Sequence, residues 1–251
     1  MSGATGEDRT GAFPRIDSHQ HFTREYLPSL LLPILKRNRF DGSVAVAGNP
    51  SVEETRWLLS LAADHDFIRA VVGWADLADP RVGDVLDEYR RHPKFRGVCY
   101  AFAGELPSGL GELERRGLTL DVSSGFTPAI VERFPLLGVT IDRVGTAHTT
   151  LPPSLARYPN LFAKISGLIT HAPTGWKAAE FRPAVRAALE AFGPHHAMYG
   201  SDWPSYLPEG TWKAALAAFT QAIGPQTLET REHLLGGTAH RFYHLETGDA
   251  V

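Results

Sequence analysis

The sequence predicts an α/β fold, a (β/α)8 TIM barrel, and three observations support this prediction. Short, β-branched apolar runs alternate with longer amphipathic segments, which is typical of βαβ units around a parallel sheet. Eight such runs occur with helical patterns between them, which favours a closed barrel. The length of 251 residues matches the roughly 250 residues that barrels of this type use.

The eight predicted strands are recognised by their length and by their content of Val, Ile, Leu and aromatic residues. The first begins just before Asp17, and the last ends just before Asp202. In chain order the predicted strands are 15–17, 43–47, 68–74, 95–102, 118–122, 138–144, 161–168 and 197–201.

The helical patterns and the lack of a phosphate loop complete the argument for one barrel domain. An open doubly wound sheet is the alternative, but such sheets usually carry a Gly-rich loop after the first strand, where this chain has residues 17–21 (DSHQH). Residues 1–12 are expected to form a disordered tail, and 13–251 the single catalytic domain. The clearest helical segments are 52–63, 81–91, 128–134, 182–192 and 211–223.

Composition and charge narrow the possible partners. The net charge of −3 predicts no general attraction to nucleic acid or to an anionic membrane. Cys99 is the only cysteine, so an intrachain disulfide is impossible and a reducing compartment is favoured. The apolar run 27–35 contains two prolines and is too short to span a bilayer. We expect a cytoplasmic protein with a small-molecule substrate, and a homo-oligomer remains open.

His19 and His21 are two residues apart at the end of the first predicted strand. Side chains two apart in a strand point to the same side, and in a barrel that side can be the interior at the mouth. Two imidazoles there can chelate one metal ion or hold one anionic oxygen. The alternative is a pair of surface loop histidines.

Asp202 follows the eighth predicted strand, and Trp203-Pro204 comes next. A carboxylate at this point faces the first strand across the closure of the barrel. It can be a metal ligand, a general base or both, and the alternative is a turn cap. With His19 and His21 it would complete a zinc site of three ligands with one open position.

Several segments resemble one known family. Residues 16–22 (IDSHQHF) and 198–204 (MYGSDWP) resemble the first and last signatures of the amidohydrolase-2 group, and more closely its L-fuconolactonase and 2-pyrone-4,6-dicarboxylate-lactonase branch. Residues 71–77, 164–168 and 239–243 are similar to intermediate segments of that branch. The resemblance spans residues 15–245 and implies a barrel hydrolase.

The chain departs from this branch at two positions. The branch usually has Asp-His at the end of strand six, where this chain has Asp142-Arg143, and it has Gly-Val-Arg where this chain has Cys99 in third place. The resemblance would make the missing histidine a metal ligand or a substrate contact. Arg143 cannot coordinate metal but can grip a carboxylate or an oxyanion through two hydrogen bonds, and His148 is a candidate replacement.

The remaining candidate residues are substrate contacts. Lys164 is unusual within an apolar strand and is expected to point into the barrel as a cation for an anionic substrate. Asp121 ends strand five and either reaches the mouth or caps a turn. Three aromatic residues either wall the pocket or pack in the core; they are Trp74, Tyr100 and Trp203.

These residues support hydrolysis of a cyclic ester as the leading hypothesis. Asp202 would take a proton from water, while His19, His21 and Arg143 would polarise the carbonyl, directly or through a metal. Because the charge of Arg143 repels a cation, we expect one divalent ion, zinc by its ligands, to be weakly bound or absent. Metal-dependent decarboxylation and a non-catalytic ligand-binding barrel are the alternatives.

Overall fold

The computed structural model describes residues 13–146, 152–170 and 172–245. The predicted tail and His148 lie outside these residues. All eight predicted strands are present, each within a few residues of its predicted bounds. The strands are β1 (Ile16–Gln20), β2 (Gly42–Val46), β3 (Ile68–Gly73), β4 (Phe95–Ala101), β5 (Thr119–Ser124), β6 (Val139–Val144), β7 (Leu161–Ile165) and β8 (Ala197–Tyr199).

The strands form one parallel sheet in sequence order, from β1 to β8. Hydrogen bonds then join β1 to the segment that follows β8. The amide of Asp202 donates to the carbonyl of His19 at 2.8 Å, and the amide of His21 donates to the carbonyl of Trp203 at 2.7 Å. The predicted (β/α)8 barrel is therefore confirmed.

The helices follow the strands as expected, with one exception. Between β6 and β7 the helix found among the described residues is the 3-10 turn Pro153–Arg157, whereas an α-helix follows each of the other strands. The proline-containing run 27–35 belongs to a helix, whose first position suits Pro28 because no N–H is needed there. The helices are α1 (Pro28–Arg37), α2 (Val52–Asp64), α3 (Val82–Tyr89), α4 (Leu110–Arg115), α5 (Ala129–Arg133), α6 (Ala178–Phe192), α7 (Trp212–Ile223), α8 (Leu228–Glu232) and α9 (Thr238–Phe242).

Apolar side chains form two layers. The larger cluster lies between the strands and the surrounding helices. A second cluster contains inward-facing strand residues such as Val44 and Cys99 together with Phe242 and Tyr243 from the end of α9. Helix α9 and the residue after it therefore pack against the barrel interior. No helix in the described ranges is both long enough and apolar enough to cross a bilayer.

Asp17 fixes the closing seam from inside the protein. Its buried carboxylate accepts hydrogen bonds from the Ser201 amide at 2.8 Å, the Trp212 indole N–H at 3.1 Å and the His19 amide at 3.3 Å. Burial raises the pKa of Asp17 to about 6, against the lowering effect of these hydrogen bonds. Asp17 thus holds β1, the turn after β8 and α7 together, directly behind His19.

Candidate active site

Two imidazoles converge at the carboxyl end of β1. His19 lies within the strand and His21 one residue beyond it, with ring centroids 4.9 Å apart. The turn after β8 passes very close to His19, since a Cβ at Gly200 would lie 2.4 Å from the His19 Cβ. Glycine at this position therefore allows the first and last strands to meet behind the imidazoles.

Asp202 completes the group that the sequence predicts. Its Oδ1 lies 3.4 Å from His21 Nε2 and 3.7 Å from His19 Nε2. The side chains of His19 and Asp202 are at most 1% exposed, and that of His21 is 12% exposed. The structure thus brings the three residues to one mouth of the barrel, with His21 on the solvent side.

Hydrogen bonds orient both imidazoles. His21 Nδ1 lies 2.8 Å from the carbonyl oxygen of Val46, which can only accept, so Nδ1 carries the proton and Nε2 presents its lone pair to the centre. His19 Nδ1 lies 2.8 Å from Ser166 Oγ. The buried Nε2 of His19 has no hydrogen-bond partner among the described residues.

Arg143 reaches the same centre from the end of β6. Its Nη2 donates to Asp202 Oδ1 at 2.8 Å and to His21 Nε2 at 3.3 Å, and its Nε donates to Asp202 Oδ2 at 3.3 Å. Gly167 makes room for the side chain, because a Cβ there would lie 3.3 Å from Arg143 Cγ and 3.2 Å from Asp202 Oδ2. The φ of Gly167 is also positive, at 66°, which favours glycine.

The surroundings determine the charge states of Asp202 and His19. Burial alone would raise the pKa of Asp202, but the neighbouring His21, His19 and Arg143 hold that pKa well below its usual range. Burial lowers the pKa of His19 strongly, and the charge of Lys164 lowers it further. At neutral pH Asp202 is therefore ionised and His19 is neutral.

A buried ion-pair network lies beneath the imidazoles. Lys164 Nζ is 2.5 Å from Asp121 Oδ2 and 3.1 Å from Asp142 Oδ1, and all three side chains are at most 1% exposed. Tyr243 OH donates to Asp121 Oδ2 at 2.9 Å. On the upper side, Asp142 Oδ2 lies 3.9 Å from His19 Nε2. The network connects the bottom of the barrel with the site.

Three of the predicted site residues line a cavity of about 840 Å³. Its described lining includes His19, His21 and Arg143, with Asp142 and Cys99 also among its wall residues. The segments after β1, β2 and β8, including the first turn of α2, contribute polar groups to the lining. These are Thr23, Arg24, Glu25, Asn49, Glu54 and Ser205.

Among the described residues, none of the predicted substrate contacts lines this cavity. Lys164 and Asp121 do point into the barrel, but their side chains are fully buried and paired with each other below the mouth. Trp74 and Tyr100 pack against the outer apolar layer, and Trp203 is buried against other aromatic rings. Strand alternation explains Tyr100, because its neighbour Cys99 faces inward.

Three functional candidates were missed in the sequence. Asp142 lines the cavity, Ser166 contacts His19 Nδ1, and Thr170 Oγ1 donates to Asp202 Oδ2 at 2.9 Å. The family branch has Asp-His at the end of strand six, and its aspartate corresponds to Asp142, so the resemblance could have identified this residue. Ser166 and Thr170 follow β7 and carry no signal of their own, because single hydroxyl residues are common in loops.

Cys99 is not placed to act as a nucleophile. It lies within β4 and belongs to the inner apolar cluster. Burial raises the pKa of its thiol, and the charges of Asp142 and Asp121 raise it further. Because the thiolate is the reactive form, Cys99 stays protonated and inert.

The donor set fits a divalent metal ion. The ligand atoms of His19, His21 and Asp202 all lie within 4.8 Å of one another. Zinc bonds of about 2.0–2.2 Å in a tetrahedron place neighbouring donors roughly 3.3–3.6 Å apart, close to the 3.4 and 3.7 Å separations from Asp202 Oδ1. The orphaned, buried Nε2 of His19 is what an absent ligand partner would leave. The predicted metal-binding group is thus present.

Comparison with known proteins agrees with this site. The amidohydrolase family profile matches residues 16–245. L-fucono-1,5-lactonase from Burkholderia multivorans is 30% identical over 292 residues, 94% of this chain and 98% of that enzyme. The crystal structure of an amidohydrolase from Burkholderia multivorans with bound zinc superposes with a TM-score of 0.82 and 28% identity, over 93% of this chain and 100% of that chain. A structure assigned as a 2-pyrone-4,6-dicarboxylic acid hydrolase from Pseudomonas putida superposes with a TM-score of 0.76 and 22% identity, over 94% of this chain and 99% of that chain.

The fold and the site define a (β/α)8-barrel hydrolase. Because the profile covers nearly the whole barrel, the chain belongs to the amidohydrolase family. The predicted family resemblance and the predicted hydrolase class are confirmed.

Proposed function

We propose that this chain hydrolyses the lactone of a sugar acid, with Asp202 as the general base. The observation that carries this proposal is the convergence of Asp202 with His19, His21 and Arg143 at the barrel mouth, where the last three line one cavity. The 30% identity with an L-fucono-1,5-lactonase over nearly the full length of both chains supports the same reaction class.

The cavity charges favour a neutral, hydroxylated lactone over a dicarboxylate. Arg24 and Arg143 are its cationic lining residues within the described chain, whereas Glu25, Glu54 and Asp142 are acidic. A dianionic substrate would therefore meet more negative than positive charge. Carboxylates, serine and threonine hydroxyls and the Asn49 amide instead suit the hydroxyl groups of a sugar.

In the proposed reaction, water attacks the ester carbonyl while Asp202 accepts a proton from it. Arg143 faces the cavity and would turn toward the developing oxyanion, which would also release the Asp202 oxygen that it holds. Asp202 then returns the proton to the leaving alkoxide as the ring opens. A divalent ion held by His19, His21 and Asp202 would supply Lewis acidity toward the carbonyl.

Acid release from a lactone panel tests the proposal. Sugar 1,4- and 1,5-lactones, including L-fucono-1,5-lactone, would be compared with a pyrone dicarboxylate at matched concentrations, and carbon dioxide release would be followed in parallel. We expect turnover of a sugar lactone, lost in Asp202→Asn and retained in the matched exposed control Asp66→Asn. Carbon dioxide release without lactone turnover would contradict the proposal.

The single cysteine further favours a cytoplasmic location.

A further inference from the structure

One guanidinium nitrogen occupies the lone pairs that a metal ion would need. Arg143 Nη2 lies 2.8 Å from Asp202 Oδ1 and 3.3 Å from His21 Nε2. A guanidinium can only donate, so both acceptors direct a lone pair at it. The Nε2 of a neutral imidazole has a single lone pair, which either accepts a hydrogen bond or binds a metal. His21 cannot offer Nδ1 instead, because Nδ1 donates to Val46.

We infer that Arg143 is a built-in cation that takes the place of the metal in the His19–His21–Asp202 group. A divalent ion binds there only when the Arg143 side chain has left. The inference concerns metal affinity, so it holds or fails whichever substrate the enzyme hydrolyses.

The surroundings give the guanidinium somewhere to go. The backbone N–H of Arg143 is fixed by Ser166 Oγ at 3.2 Å, whereas its side chain is 38% exposed and borders the cavity. The chain can therefore swing outward without moving β6. Close approach of a divalent cation would favour that outward position through charge repulsion.

The exchange has a measurable cost. Metal binding must break charge-assisted hydrogen bonds from Arg143, each worth roughly 10- to 100-fold in an equilibrium constant. Arg143→Met removes the donors and the charge while keeping an unbranched side chain. We therefore expect Arg143→Met to bind Zn²⁺ at least roughly tenfold more tightly than the unaltered protein.

Zinc titration calorimetry of chelator-treated protein tests this exchange. The described residues contain one other group with metal-ligand geometry, His195, Glu229 and His233, so all proteins would carry His195→Ala and His233→Ala. Adding Asp202→Asn to Arg143→Met should abolish the gain, which locates the ion. Unchanged zinc affinity in Arg143→Met, or tight stoichiometric zinc binding by the parent that keeps Arg143, would overturn the inference.

A second variant keeps the test decisive should Arg143→Met fold poorly. The φ of Arg143 is 55°, a conformation that suits glycine, so Arg143→Gly fits the backbone. Millimolar guanidinium ion should then weaken zinc binding to Arg143→Gly by filling the vacated position, and should leave the unaltered protein unaffected. Circular dichroism at each guanidinium concentration would verify folding. Zinc binding to Arg143→Gly that does not respond to guanidinium would contradict the exchange.

Discussion

Arg143 and Asp202 are joined by two hydrogen bonds, and both have left-handed backbone conformations, with φ of 55° and 65°. Non-glycine residues in this region cost of the order of 1–3 kcal/mol each, so they persist only where the surrounding structure holds them. Here the Asp202 amide is held by the His19 carbonyl and the Arg143 amide by Ser166. The backbones of Arg143 and Asp202 are therefore fixed in place before a substrate binds.

Replacing Asp202 by asparagine should abolish most of the activity. Asparagine keeps the size and the acceptor for Thr170 or Arg143 but cannot take a proton from water. General-base assistance typically contributes roughly 10²–10⁴-fold, so we expect a loss of that order in kcat with the fold intact. Steady-state kinetics and circular dichroism on Asp202→Asn and on the exposed control Asp66→Asn measure this. A folded Asp202→Asn with near-normal kcat would remove Asp202 from the mechanism.

Arg143→Lys should lower kcat/KM with little change in stability. Lysine keeps the charge but loses the planar fork that reaches both oxygens of Asp202, and it cannot match an oxyanion in two places. Loss of one charge-assisted hydrogen bond predicts a decrease of roughly tenfold or more. The matched control is Arg81→Lys, whose side chain is 83% exposed. If lysine substitutes freely at position 143, Arg143 is only a structural ion-pair partner.

The sequence predicts the fold and the central triad for a physical reason. Buried parallel strands are continuous apolar runs, and the order of strands in a barrel places the end of β1 beside the end of β8. This geometry requires His19, His21 and Asp202 to meet once the fold is known. Their separations of 3.4 and 3.7 Å from Asp202 follow from the barrel closure itself.

The position of a side chain along the barrel axis is harder to predict. Lys164 does face the interior as expected. However, it forms ion pairs below the mouth with Asp121 from β5 and Asp142 from β6. Bulges shift the pairing of several strands, including β6 with β7, so counting along the sequence does not fix which side chains share a layer. The ion-pair network therefore emerges only from the three-dimensional structure.

Lys164→Met should destabilise the protein in a pH-dependent manner. Removing one partner of a buried ion pair costs about 3–5 kcal/mol, because carboxylates remain buried without their counter-charge. Burial already raises the pKa of Asp121 to about 6, with Lys164 lowering it, so the pKa rises further without Lys164. A raised acid pKa gives stability that is present at low pH and is lost as pH rises through the folded-state pKa.

The free-energy loss of Lys164→Met should therefore be larger at pH 8 than at pH 5, where Asp121 binds a proton. Urea unfolding of Lys164→Met at both pH values, beside the exposed control Lys213→Met, measures the difference. An equal loss at the two pH values would show that lost packing, and not unpaired charge, causes it.

Asp17 and Trp212 should show strong energetic coupling across the closing seam. In Asp17→Asn the Oδ1 position can still accept from the amides of Ser201 and His19, but an amide NH2 replaces the Oδ2 that accepts from the Trp212 indole. Two donors then face each other in the core, which costs about 1–3 kcal/mol. Trp212→Phe alone leaves Oδ2 buried without that donor and costs a similar amount.

In the double variant both the donor–donor clash and the unpaired carboxylate oxygen are absent, and only the asparagine NH2 stays buried without an acceptor. The free energy of unfolding should therefore fall by less than the sum of the two single losses, with a coupling of about 1–2 kcal/mol from urea unfolding at fixed pH. Asp17→Asn with Trp57→Phe is the matched control and should be additive, since Trp57 lies on α2 and packs against the larger apolar cluster. Strict additivity of Asp17→Asn and Trp212→Phe would mean that this hydrogen bond does not hold α7 to the seam behind His19.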